Sequence, residues 1–135
     1  MKSNLYVVNT SSNTVATNGT VPFSTIVRRR NSNINLTGTN VTVSDCHTEY
    51  YFVNANITFT AATADTASLA LFINGVEYPG AVSSVTVGTA TTEVNTLNIQ
   101  AIVRTNCNSS DYLTIVNIGT PTLTVTNADM SVIAL

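Results

Sequence analysis

The stretch TEYYFVNANITFTA, residues 48–61, sets Tyr51, Val53, Ala55, Ile57, Phe59 and Ala61 on one side of an extended chain and Asn54, Asn56, Thr58 and Thr60 on the other. An alternation of period two held this long does not fit a helix, where residues of one face recur every three or four positions. It requires a strand with one dry face and one wet face. Tyr50 and Phe52 interrupt the polar side at its start. That end of the strand therefore needs a cover, supplied by a loop or by another subunit.

The same period returns along the chain. Leu69, Leu71 and Ile73 lead into Asn74-Gly75, a pair that readily takes the positive φ angles of a tight hairpin. Val76 and Tyr78 follow, then a Pro79-Gly80 turn signal, then Val85 and Val87. Leu97, Ile99, Ala101 and Val103 form another inward row, Leu113 and Ile115 begin the next, and Leu123, Val125, Met130, Val132 and Ala134 close the series. Upstream, Val21 to Val27 and Ile34 to Val43 give shorter strands, with Gly38 marking a bulge or turn. The pattern predicts about eight to ten strands in an all-β antiparallel sandwich or jelly roll. Residues 1–20 are less patterned and read as an N-terminal arm or edge strand that anchors the chain. Residues 21–135 read as the jelly-roll domain.

Composition narrows the function classes. Charged residues make up 9% of the 135 positions and hydrophobic residues 44%, the polar remainder being mostly Thr, Asn and Ser. A net charge of −2 gives no general attraction to nucleic acid or to an anionic membrane. No apolar run reaches the roughly 20 residues needed to span a bilayer, and no export signal is legible at the start. Sequons at Asn9, Asn18, Asn35, Asn40, Asn56 and Asn108 follow from a chain rich in Asn, Ser and Thr. They do not argue for a secreted glycoprotein.

The order of INLTGTNVTVSDCHTEYYFV, LALFINGVEY, LNIQAIVRT with DYLTIVN, and MSVIAL resembles the jelly roll shared by tumour necrosis factor, the complement globular heads and the collagen-tailed spore-surface glycoproteins of bacilli. The resemblance covers roughly residues 20–135. It departs from the family pattern at His47-Thr48-Glu49, where a Gly is usual, and at NCNSSD, which replaces a short Gly-Asp turn. The resemblance implies a threefold trimer packed through aromatic and aliphatic side chains, with Tyr50, Phe52, Phe72 and Ile102 as the interface candidates. The compact form also looks like small proteins encoded among virion genes of phages and prophages.

The same strand order would gather the loops at Asp45–Glu49, Asn74-Gly75 and Asn106–Asp111 at one end. Cys46 and Cys107 then have three readings: free thiols, a disulfide formed outside the cell, or a zinc site shared with His47. No CxxC spacing supports the metal, and no cofactor is implied. His47 is the only histidine, no serine-elbow or phosphate-loop motif is present, and the carboxylates are scattered, so no enzyme is expected. Arg28, Arg29 and Arg30 hold three of the five basic residues and read either as a solvated loop or as a partner contact.

The expected function is a structural bacteriophage protein, a trimeric capsid decoration or head-fibre knob made in the host cytoplasm. It would attach to capsid or other virion proteins through its N-terminal segment. The rival readings are a receptor- or glycan-binding tip, with Tyr78, Tyr112 and nearby Asn residues as candidates for a host-surface glycan, and a spore-coat component.

Overall fold

The computed structural model describes residues 2–31, 33–44, 50–105 and 110–135, and the regular elements among them are all strands. One sheet contains β1 (Asn4–Asn9), β2 (Asn13–Val15), β3 (Thr25–Arg30), β6 (Tyr50–Ala61), β9 (Asn95–Arg104) and β11 (Leu123–Ala134). Its order is β3-β1-β11-β6-β9, with β2 beside the first part of β11. The other contains β4 (Ile34–Thr37), β5 (Asn40–Val43), β7 (Thr66–Ile73), β8 (Val76–Thr86) and β10 (Asp111–Asn117), in the order β4-β5-β10-β7-β8. Every ladder is antiparallel, and the two sheets form the sandwich that the alternation predicts.

The core is the set of inward rows. All six inward residues of β6 are buried, and Leu69, Leu71, Leu113 and Ile115 meet them from the second sheet. Each large apolar side chain among them contributes roughly 1.5–3 kcal/mol through burial. The β11 row changes parity, from Leu123 and Val125 to Ala128, Met130, Val132 and Ala134. A bulge explains the change: Val125 pairs with Phe59 and Asn127 with Thr58, leaving Thr126 as an extra, exposed residue.

The hairpin at Asn74-Gly75 forms as expected, with φ of 53° and 79° between the paired Ile73 and Val76. Gly38 takes φ 62° as the first central residue of the two-residue turn between Thr37 and Asn40. Pro79-Gly80, in contrast, does not end a strand. Ala70 pairs with Val82 and Phe72 with Glu77, so residues 78–81 bulge out opposite Leu71, with Gly80 at φ 82°. An edge strand tolerates this because the missing proline N–H has no ladder partner to lose.

The N-terminal segment also differs from an arm. Residues 4–9 pair with β11 on one side and β3 on the other, and they bury Leu5 and Val7 in the core. The edge strand is β3 instead, exposed along its whole length.

Asn117, at the end of β10, ties the second sheet to β2 of the first sheet and to the loop that follows β10. Its Nδ2 donates to the carbonyls of Val15 at 3.1 Å and Pro121 at 3.0 Å, and its Oδ1 accepts the Gly119 N–H at 3.0 Å. A buried amide so satisfied is stabilising, whereas an unsatisfied one would cost about 1–3 kcal/mol.

Candidate functional site

Antiparallel partners share a face, so the ladders of the first sheet define rows running across it. On the outer side one row reads Asn4, Ile133, Phe52, Ile102 across β1, β11, β6 and β9. Tyr50 and Leu135 lie one step beyond it, where the Leu135 N–H donates to the Tyr50 carbonyl at 3.1 Å. Tyr6 lies one step to the other side, opposite Ser131. Ile102 is 58% exposed, Leu135 54%, Tyr50 46% and Ile133 44%. A shallow hollow of about 180 Å³ opens within this patch, bounded by Tyr6, Ser131 and Ile133. Three of the expected interface residues, Tyr50, Phe52 and Ile102, thus stand together, joined by Ile133, Leu135 and Tyr6.

Beyond the apolar rows the same face turns polar. The Asn98 Nδ2 donates to the Oδ1 atoms of Asn54 and Asn56, each at 2.8 Å, and the Asn56 Nδ2 donates to Asp129 Oδ1 at 3.1 Å. Thr58 and Thr96 pair their hydroxyls at 2.9 Å. The amides satisfy one another along the sheet, so the polar half is a finished surface while the apolar half is not.

Arg28 and Arg30 stand opposite Tyr6 and Asn4, on the rim of the apolar face. Arg29 points to the other side of β3, where its Nη1 donates to Asn35 Oδ1 at 2.6 Å. The arginine run is therefore an edge strand and not a loop. Cys46, His47 and Cys107 lie outside the described residues. Among the described residues no three His, Cys, Asp or Glu side chains come together as metal ligands do.

Phe72 does not join the other three interface candidates. It lies on the outer side of the second sheet, opposite Thr114 of β10. There it lines a cleft of about 370 Å³ with Tyr112, Thr114, Asn18, Asn40 and neighbouring small residues. Tyr78 lies outside this cleft: the β8 bulge aims its hydroxyl at the Ile102 carbonyl of β9, 2.7 Å away, bridging the edges of the two sheets. The alternation shows that Phe72 points outward. It carries no mark of which sheet it leaves, and that depends on the long-range pairing of β7 with β10.

No protein-family model matches the sequence, and no curated protein matches it. Among solved structures, the chain is similar over its whole length to murine APRIL, over all of that chain, at 16% identity and a TM-score of 0.69. It is equally similar to the Eiger TNF of S. frugiperda, covering 92% of that chain at 16% identity and a TM-score of 0.70. The globular domain of zebrafish complement 1qA matches 96% of this chain and 94% of its own, at 9% identity and a TM-score of 0.65. The fold is thus a jelly roll of the tumour necrosis factor and C1q type.

Proposed function

We propose that this chain is a homotrimeric contact protein of a virus particle, a capsid decoration or head-fibre knob of a bacteriophage, without catalytic activity. The observation that carries the assembly is the row Ile133, Phe52, Ile102 with Tyr50, Tyr6 and Leu135 around it, exposed apolar side chains gathered on one sheet face. A cluster of apolar side chains bordered by polar ones is the usual anatomy of a protein interface. The low charge suits dense packing of copies on a particle, where like charges would repel. Arg28, Arg29 and Arg30 on the free edge of β3 are the proposed contact with the neighbouring virion protein.

Sedimentation or native mass spectrometry at micromolar concentration tests the assembly, with a threefold mass expected and a monomer overturning it. Imaging of the purified particle tests the location: density for the knob on the particle supports it, and its absence from particles overturns it.

A further inference from the structure

We propose that the cleft on the outer face of the second sheet binds a neutral carbohydrate. The alternation of β10 turns Tyr112 and Thr114 outward together, and the pairing with β7 sets Phe72 beside Thr114. An aromatic surface and hydroxyls therefore share one wall. The opposite wall carries Asn18 and Asn40, from the segment that runs along β10 and from the start of β5. Neither side-chain amide has a hydrogen-bond partner among the described residues, so each offers two donors and an acceptor to a ligand.

Charge selects the ligand class. No Asp, Glu, His, Lys or Arg lines the cleft among the described residues. An anionic or cationic ligand would lose hydration there without meeting an opposite charge. A sugar ring matches the cleft on both counts, with an apolar C–H face for the rings and vicinal hydroxyls for the amides. The volume of about 370 Å³ lies within the range of small-ligand sites and accommodates a mono- or disaccharide.

The walls are also held before any ligand arrives. Asn74 fixes the Tyr112 backbone through two hydrogen bonds, at 2.9 Å and 3.0 Å, and the Asn18 N–H donates to the Asn117 carbonyl at 2.6 Å. Fixing these groups in advance lowers the ordering cost of binding. The cleft and the apolar face lie on opposite outer sides of the sandwich, so assembly through the first sheet leaves the cleft open.

An array of neutral glucose, galactose, mannose and N-acetylhexosamine oligosaccharides, printed beside sialylated and sulfated ones, gives the first test. The strongest neutral glycan is then titrated as a monovalent ligand against ¹⁵N-labelled wild-type protein, Tyr112→Ala, Asn40→Ala and Ile102→Asp. Shifts centred on Phe72, Tyr112 and Thr114 are expected, with affinity about tenfold weaker or worse in the two cleft variants. Ile102→Asp, which disrupts the proposed assembly, is expected to bind the monovalent glycan as wild type does, which separates this inference from the trimer. No retention of neutral glycans, retention of charged glycans only, or shifts centred elsewhere in the wild-type protein would overturn the assignment. So would unchanged affinity in both cleft variants.

Discussion

Asn74 grips Tyr112 across two strands: its backbone N–H donates to the Tyr112 carbonyl at 3.0 Å and its Oδ1 accepts the Tyr112 N–H at 2.9 Å. Its Nδ2 also donates to Asp111 Oδ1 at 2.7 Å, so one side chain joins the β7–β8 turn to the start of β10. It does so at φ 53°, a conformation that Asn adopts more readily than most residues. Replacing it with Gly keeps the turn and removes both side-chain bonds, one of them to the carboxylate of buried Asp111, at an expected cost of about 2–4 kcal/mol. Asn74→Ala adds backbone strain and is expected to be less stable than Asn74→Gly by about another 1 kcal/mol, read as a lower denaturant midpoint with an unchanged m-value.

The apolar face makes its own prediction. Ile102 is exposed on an edge strand beside Phe52, so Ile102→Asp leaves the protomer's core intact while placing a charge in the proposed contact. The expected loss is about 2 kcal/mol or more of association free energy. Sedimentation should then show the mass of one chain where the wild type shows three. Circular dichroism should keep its β-sheet signal.

Two glycines separate space from conformation. A Cβ on Gly119 would sit 2.8 Å from the Ser68 nitrogen and 3.0 Å from the Thr66 carbonyl oxygen, both of them backbone atoms that do not move aside cheaply. Gly119→Ala is expected to cost about 2–4 kcal/mol, as overpacking beside a rigid partner does. Gly80→Ala meets nothing within 4 Å and pays only for φ 82°, at an expected cost of about 1 kcal/mol. Thermal melts of the two variants should rank in that order.

Glu93 gives a pH dependence with a definite sign. The Asn95 side-chain amide and then the Gly88 N–H hold its carboxyl below the ordinary glutamate value. Its bonds therefore stabilise the fold above the unfolded-state value and are lost as the pH falls through the lowered folded value. Glu93→Gln removes this proton linkage. Its melting temperature should fall less between pH 7 and pH 3 than that of the wild type.

How much of this was legible in the sequence depends on how local the signal is. The β6 row and the Asn74-Gly75 hairpin each lie within one short segment, and both form as their residues predict. The parity change between Val125 and Ala128 needs the β6–β11 register, because the inward rows alone do not say where the extra residue falls. Residues 4–9 carry no local sign of their inner place in the sheet because their partners, 128–133, stand more than a hundred positions away. Pro79-Gly80 is an equally good signal for a turn and for an edge bulge, and only the pairing of Ala70 with Val82 decides. Of the cleft, the sequence points only to Tyr112: Asn18, Asn40 and Phe72 belong to separate segments that the sheet brings beside it.

The pairing of β1 with β11 makes the first sheet depend on contacts between the two ends of the chain. The central ladder of the first sheet joins Asn4 to Ile133 and Asn9 to Ala128, so an early segment must wait for a late one. Until residues 123–134 are available, β1 and β6 lack the strand that lies between them. Hairpins such as β7–β8 and β4–β5 can close at once, but the sheet that carries the apolar face closes last and over a long loop. Such a topology folds slowly, and its unpaired strand edges are open to neighbouring chains in the interval. The three central strands of that sheet, β1, β6 and β11, carry a single charged residue, Asp129, to keep copies apart, which favours rapid capture of the final strand.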